Sequence, residues 1–233
     1  MTAVFVEDGP DKGAIWHFGT PAQEQRALAE GKAWADLSHL SIIEVSGDDR
    51  IKWLHDLTTQ HLINLPAGDW LPAMILDHNG HVEYQFNLVD DGTTTFIVID
   101  PCYAEGLLAY LLKMRFMLKV DARDASADFS VLRAPGAATI IGGPYALVPR
   151  AELDSMKTVF NENAKEVGTW ALDAERVAAG RPRHGIDTDH KAIPNELGVL
   201  NKDVHMNKGC YRGQETVAKI FNLGAPPRRL VML

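Results

Sequence analysis

The chain has 233 residues, of which 46% are hydrophobic and 23% are charged, and it carries a formal net charge of −8. This composition is typical of a soluble globular protein with one large domain or two small ones. No apolar run approaches the roughly 18–20 residues that a membrane-spanning helix needs, which argues against a membrane protein. The only cysteines, Cys102 and Cys210, do not indicate a disulfide framework, so we expect a reducing compartment, by default the cytoplasm.

Basic residues are concentrated near the C-terminal end. Residues 176–229 contain ten lysines and arginines against five acidic residues, whereas the rest of the chain is strongly acidic. An acidic protein with one basic segment is a poor candidate for a nucleic-acid-binding protein, and we expect no nucleic-acid partner. The basic segment could face a small anionic ligand, or it could equally form an ordinary solvated surface.

The first sixty residues predict a mixture of short strands and helices. Residues 13–18 are typical of a strand, and residues 22–35, rich in Ala, Gln and Glu, are typical of a helix. Residues 41–46 predict another strand, and Asp48 or Asp49 can cap the helix that follows.

From about residue 72 the hydrophobic period changes from helical to alternating, which indicates strands. Turn signals at 77–80 and 90–92 divide this region, so we expect an antiparallel meander. A helix over 104–114 follows, and the polar stretch 121–128 is a candidate boundary. The expected strands cover 73–76, 81–89 and 93–99, and a further strand begins at 119–120.

The second half contains further short strands and helices. We expect strands over 129–132 and 138–141, and helices over 153–167 and 171–179. Because strands and helices occur in blocks and not in a regular βα alternation, the sequence predicts an α+β fold. The apolar run 225–233 is either a strand of an earlier sheet or the first strand of a further domain.

The motifs of several common enzyme classes are missing from the sequence. It contains no glycine-rich dinucleotide fingerprint, no P-loop, no His-Glu-x-x-His, no Cys-x-x-Cys and no Gly-x-Ser-x-Gly. Nucleotide-driven chemistry, zinc proteolysis and hydrolase-type acyl transfer are therefore disfavoured. We predict no metal site, because His78 and His81, which flank a polar turn, are typical of solvated surface.

The segment 176–196 is polar and is broken by glycines and prolines. It carries Arg183, His184 and Glu196. A long polar segment that cannot be helical is either a surface loop or folds over a ligand. Glu196, close to Pro194, could hold an N–H-rich heterocycle through paired hydrogen bonds.

The most unusual stretch is Lys208-Gly-Cys-Tyr-Arg-Gly-Gln-Glu215, which places a thiol between two cations and two glycines. Lys208 and Arg212 would favour the thiolate of Cys210 electrostatically. A helix is expected to begin near Gly213. The alternative is that Cys210 is a small buried residue in a tight turn, and that interpretation is the one we give to Cys102.

This octamer resembles the K-G-C-Y-x-G-Q-E signature of YgfZ-type folate-binding proteins, relatives of the glycine cleavage T-protein, an aminomethyltransferase. The resemblance extends over nearly the whole chain. Weaker similarity to elements of the same superfamily occurs at residues 35–40, 45–57, 176–182, 194–196 and 217–230.

The resemblance implies a T-protein-like fold of three parts around a central hole, with antiparallel sheets and flanking helices. The first domain would be discontinuous, 1–48 with 128–222, and would carry the octamer. The second would cover 49–127. Residues 223–233 would be the linker and first strand of a C-terminal β-barrel that is absent or truncated here.

The resemblance also implies a ligand and a set of site residues. Tetrahydrofolate, or a one-carbon or polyglutamate derivative, would enter the hole, with Glu196 as the pterin contact and the motif cysteine Cys210 as the functional thiol. Iron–sulfur enzymes or assembly proteins would be partners, with no membrane involved. The further residues expected to bind the ligand or shape its loop are Lys208, Tyr211, Arg212, Gln214, Arg183 and His184.

Two departures from the superfamily bear on the chemistry. Aminomethyltransferases of the superfamily carry Asp-Asp after the glycine turn, where the corresponding stretch of this chain, 80–85, contains Glu83 and no Asp, and they carry L-Y-G where this chain has Arg183-His184-Gly185. A carboxylate displaced by about a bond length can lower a rate about 10²-fold. The leading hypothesis is therefore a folate-binding protein that supports iron–sulfur cluster assembly or repair. The alternatives are a tetrahydrofolate-dependent aminomethyl or methyl transferase, with Glu83 as the acid–base group, and a non-catalytic folate-sensing scaffold.

Overall fold

The computed structural model describes residues 2–136 and 145–231. The expected strand over 138–141 lies outside these residues. The first half contains strands β1 (Val4–Phe5) and β2 (Ile15–His17), helix α1 (Pro21–Ala29), strands β3 (Ala33–Asp36) and β4 (Ser41–Ser46), helix α2 (Arg50–Leu57), strands β5 (Trp70–Leu76), β6 (Val82–Asp90) and β7 (Thr95–Ile99), and helix α3 (Pro101–Lys113). The second half contains strands β8 (Asp121–Asp124), β9 (Phe129–Arg133) and β10 (Tyr145–Pro149), helix α4 (Leu153–Asn163), strand β11 (Lys165–Glu166), and helices α5 (Thr169–Ala178) and α6 (Gln214–Leu223).

The larger sheet has five antiparallel strands in the order β5-β6-β7-β4-β8, and it contains the predicted meander. Its strand β7 is buried along its whole length. Successive side chains of a strand point to opposite faces. Ile97 and Ile99 accordingly pack with Leu107 of α3, whereas Phe96 and Val98 pack on the other face, toward β9 and β10. The sheet therefore lies between the α2–α3 layer and the second sheet.

The second sheet has the order β10-β9-β3-β11, with β3 antiparallel to β9 and parallel to β11. Trp34 of β3 is fully buried against Phe160 of α4, and its indole N–H donates to Asn161 at 3.1 Å. On the opposite face Ala33 and Ala35 pack against α1 and α5. Together the two sheets and their flanking helices confirm the predicted α+β class.

The helix predicted over 22–35 is wrong in its second half. Helix α1 ends at Ala29, Gly31 adopts a left-handed φ of 70°, and residues 33–36 form β3. The Ala-Trp-Ala-Asp sequence of β3 has no strong strand preference of its own. Its conformation is decided by pairing with β9 and β11, which lie about a hundred residues later in the chain.

Three other stretches show how the secondary structure compares with the expectations. The helix expected over 153–167 stops at Asn163, because the next residues pair with β3 as β11. The polar stretch 121–128 contains the edge strand β8, where exposed charges are common. No strand occurs in 225–231, the described part of the apolar C-terminal run.

The predicted division into domains stays a prediction. Strand β4, which precedes the expected boundary at residue 48, lies between β7 and β8 in the five-stranded sheet. Among the described helices, none combines the length and the apolar character needed to cross a bilayer.

Candidate functional site

A cavity of about 300 Å³ lies between the β9–β10 side of the five-stranded sheet and the segment from α5 to residue 184. Its apolar wall includes Leu37, Phe86, Val98, Tyr145 and Leu172. Small-molecule sites usually measure about 300–1,000 Å³, so this cavity is large enough for a compact ligand. The charged and polar side chains that line it include Asp11, Asp100, Arg133, Arg183, His184 and Asp203.

Arg183, a predicted ligand contact, forms two bidentate ion pairs in the cavity wall. Its guanidinium binds both carboxylate oxygens of Asp11, each at 2.7 Å, and both of Asp100, at 2.6 and 2.9 Å. His39 also contacts Asp11, at 2.9 Å. Burial alone would raise the pKa of Asp11, but the hydrogen bonds from His39 and Arg183 lower it well below its usual range. Arg183 thus holds together the β1–β2 connection and the end of β7.

His184, the second predicted contact in the cavity, is held by polar neighbours. Its backbone N–H donates to Gln85 Oε1 at 2.9 Å, and its Nδ1 lies 3.1 Å from the Thr188 hydroxyl. The imidazole lies 4.9 Å from the ring of Tyr103. Burial lowers the pKa of His184, which favours the neutral ring at physiological pH.

Two cavity residues that the sequence reasoning missed are almost completely buried. Asp203 is 1% exposed and Arg133 is 2% exposed. Among the residues that the structure describes, no hydrogen-bond partner reaches Asp203 Oδ1 or Arg133 Nη1. Burial raises the pKa of the Asp203 carboxyl. The alternation of β9 could have identified Arg133, because it occupies the same core-facing register as Val131; the sequence gives no comparable signal for Asp203.

Lys208, the first residue of the octamer, binds the C-terminal end of α2. Its buried ammonium donates to the carbonyls of His55, Thr58 and Gln60, a favourable position for a cation. Burial lowers the pKa of Lys208 to about 8. Tyr211 packs 5.2 Å from this ammonium, and burial raises the pKa of Tyr211 to about 12.

Arg212, the second cation of the octamer, also binds partners other than the thiol. Its Nε donates to the Leu76 carbonyl at 2.5 Å, and its Nη2 contacts the Glu83 carboxylate. The guanidinium lies 4.9 Å from the centre of the Tyr110 ring. Lys208 and Arg212 were expected to act together on the Cys210 thiol. Their side chains instead bind the protein body, and the thiol itself is exposed.

Gln214 begins helix α6, and its backbone N–H donates to the carbonyl of Tyr211 at 3.3 Å. Glu196 is buried, and its two carboxylate oxygens accept from Arg228 at 3.1 and 2.9 Å. Leu230 adds a backbone hydrogen bond to the Glu196 carbonyl. The 225–231 segment thus occupies the polar edge at which a pterin contact was predicted.

The predicted site residues therefore fall into three places. Arg183 and His184 line the cavity. Glu196 lies beneath the 225–231 segment, outside the cavity lining. The remaining predicted residues, Cys210, Lys208, Tyr211, Arg212, Gln214 and Glu83, form one cluster of octamer contacts that is also outside that lining. Within 2–136 and 145–231, no three His, Cys, Asp or Glu side chains are arranged to hold a metal ion.

The chain is similar over most of its length to proteins with three different functional names. No family model matches the chain. It is 23% identical, over 94% of its length and 60% of the relative's, to a chloroplastic protein of Arabidopsis thaliana with a provisional transferase name. It is also 23% identical to the mitochondrial iron–sulfur cluster assembly factor IBA57 homolog of Mycosarcoma maydis, over 93% of this chain and 61% of that one. The chain thus spans about three fifths of the length of these two relatives.

A bacterial relative and a solved structure complete the comparison. The tRNA-modifying protein YgfZ of Colwellia psychrerythraea is 24% identical, over 85% of this chain and 70% of the relative. The glycine cleavage system aminomethyltransferase T of Bartonella henselae has the same fold, with a TM-score of 0.79 and 14% identity over 95% of this chain and 72% of that one. The octamer, the fold and these relatives together support the resemblance of the chain to the YgfZ-type proteins, with the fold of the glycine cleavage aminomethyltransferase T.

Proposed function

We propose that the chain is a tetrahydrofolate-binding protein that supports iron–sulfur cluster assembly or repair through the thiol of Cys210. The observation that carries this proposal is the exposure of that thiol on a loop whose neighbouring side chains are bound to the protein body. The relative named for iron–sulfur cluster assembly supports the same function.

The contacts of Lys208 and Arg212 support a positioning role for both residues. Lys208 binds three carbonyls near the end of α2, and Arg212 binds Leu76 and Glu83 across the β5–β6 turn. The backbone on either side of Cys210 is therefore held while its side chain stays accessible. Such an arrangement presents a thiol to another protein in a defined position. The iron–sulfur cluster is the cargo of this function and not a resident group.

The cavity supports the folate part of the proposal. Its volume of about 300 Å³ suits a bicyclic ring, and the buried polar atoms of Arg133 and Asp203 fit a ligand that both donates and accepts hydrogen bonds. Arg183 would form part of the cavity wall, because its guanidinium N–H groups already donate to Asp11 and Asp100. When bound, tetrahydrofolate would supply a carrier for a one-carbon group.

The thiol is tested by the substitution Cys210→Ser. We expect the variant to lose nearly all support of iron–sulfur enzyme activity in cells while its thermal unfolding matches that of the wild type, because the side chain is exposed. The matched control is Cys102→Ser, which replaces the other exposed thiol and should retain full support. Full support by Cys210→Ser would instead favour the scaffold alternative, which needs no thiol.

The transferase alternative makes a separate prediction about Glu83. Because the Glu83 carboxylate is already engaged in an ion pair with Arg212, we expect no turnover of an aminomethyl-lipoyl carrier with tetrahydrofolate. The measurement is release of ammonia by the purified chain. Release that Glu83→Gln abolishes would replace the leading proposal with the transferase.

The cellular location also remains part of the proposal. The cytoplasm predicted from the cysteine content stays a prediction, and two of the relatives carry chloroplastic and mitochondrial names.

A further inference from the structure

Among the residues that the structure describes, the cavity lining contains one buried acceptor, on Asp203, and one buried donor, on Arg133, that have no hydrogen-bond partner. We propose that Asp203 and Arg133 together recognise the flat heterocyclic head of the ligand, with Asp203 Oδ1 accepting from an amino group on the ring and Arg133 Nη1 donating to a ring carbonyl. The identification of this ligand as a folate rests on the proposed function. The assignment of the two residues rests on their own contacts.

The orientation of Asp203 is set by a chain of hydrogen bonds. Its Oδ2 accepts from Gln85 Nε2 at 3.2 Å, and the same amide nitrogen donates to the Pro182 carbonyl at 3.3 Å. Gln85 Oε1 accepts from the backbone N–H of His184 at 2.9 Å. Arg181 approaches Oδ1 only to 3.8 Å, beyond hydrogen-bond distance. Oδ1 is therefore the oxygen available to a ligand.

One nitrogen of the Arg133 guanidinium is bound by the protein, and another is available to a ligand. Both of its short contacts use Nη2, which donates to the two carboxylate oxygens of Glu175 at 2.9 and 3.0 Å. The charge of the guanidinium is thus balanced, while Nη1 keeps its N–H groups without a partner in the described part of the chain. A guanidinium with spare donors suits a carbonyl or another electron-rich oxygen.

The free-energy cost of burying these two unpaired groups indicates that they serve a ligand. A buried polar group without a partner destabilises a folded protein by roughly 1–3 kcal/mol, and in the described part of the chain Asp203 and Arg133 each have one such atom. Burial also raises the pKa of Asp203, so the ionised carboxylate opposes folding at neutral pH. Residues that reduce stability within a cavity are typical of a functional site.

The chemical class of the ligand follows from this pair and from the walls. One acceptor and one donor in the same lining, together with the rings of Phe86 and Tyr145, suit a planar ring that carries an amino group and a carbonyl. A 2-amino-4-oxopteridine has both groups, and its bicyclic size agrees with a cavity at the lower limit of small-molecule sites.

The test exchanges the acceptor for a donor. In Asp203→Asn the amide oxygen can still accept from Gln85, which leaves the amide N–H2 in the place of Oδ1. Binding of pterin is compared with binding of lumazine, in which a carbonyl replaces the 2-amino group. We expect the wild type to prefer pterin by about tenfold to a hundredfold and Asp203→Asn to reverse the preference. The control Asp121→Asn, at an exposed carboxylate, should keep the wild-type preference.

Each outcome decides the assignment. Equal weakening of both probes in a folded Asp203→Asn variant, or no discrimination by the wild type, would overturn it. Thermal unfolding should show Asp203→Asn to be at least as stable as the wild type; if the variant does not fold, the wild-type ratio of pterin to lumazine binding still decides. Titration of the wild type with 5-formyltetrahydrofolate separates the two proposals. Binding of that folate without pterin discrimination removes only the residue assignment, whereas pterin discrimination without folate binding removes only the folate part of the proposed function.

Discussion

Gly213→Ala should destabilise the chain by about 2–5 kcal/mol and displace the octamer loop. Gly213 has φ 80°, a left-handed conformation that costs other residues roughly 1–2 kcal/mol. An added Cβ would also lie 2.4 Å from the Asp77 carbonyl oxygen and 2.9 Å from the Gly80 Cα, and overpacking typically costs about 1–3 kcal/mol more. The start of α6 therefore packs closely against the β5–β6 turn, with no room for a side chain at Gly213.

The matched control is Gly209→Ala, on the other side of Cys210. An added Cβ at Gly209 meets no atom within 4 Å, and the backbone there is not left-handed. We expect a change within about 0.5 kcal/mol. Urea unfolding measures both variants, and activity in cells shows whether the position of the Cys210 loop matters. Equal stability of the two variants would mean that α6 does not pack on the turn as described.

The octamer was identified from sequence as the chemically unusual stretch, but its contacts were not. Lys208 binds the Thr58 carbonyl 150 positions away, and Arg212 binds Glu83 129 positions away. Sequence spacing places both cations beside Cys210, and no local pattern reveals carbonyls or a carboxylate that arrive from distant elements. The local inference that the two cations serve the thiol could therefore not anticipate that they bind the protein body.

Some strands of the fold follow from local sequence signals, and others depend on pairing with distant strands. The meander of β5, β6 and β7 was predicted because alternation and turn residues are local signals. Strand β3 was not, because it depends on pairing with β9 and β11. The cavity combines both cases: Arg183 and His184 were selected from a polar segment, whereas Asp203 became a candidate only when burial and an unused oxygen were visible.

Arg183→Met should lower the free energy of unfolding by about 3–5 kcal/mol, the range for removing one partner of a buried ion pair. The guanidinium is 18% exposed, and Asp11 and Asp100 are 13% and 15% exposed. The substitution leaves two carboxylates close together without their shared cation. Adding Asp11→Asn and Asp100→Asn to the variant should restore part of the loss, which calorimetric or urea unfolding can measure.

The pH dependence separates this electrostatic role from simple packing. The folded-state pKa of Asp11 lies below its unfolded value of about 4. The stabilisation from Asp11 is therefore fully present above pH 4 and is lost as the pH falls through the folded-state pKa. Arg183→Met removes one of the two groups that lower the pKa of Asp11, while His39 remains. The free energy of unfolding of the variant should therefore decline less steeply below pH 4 than that of the wild type. Parallel acid-unfolding curves would show that Arg183 stabilises the wall by its hydrocarbon contacts and not by its charge.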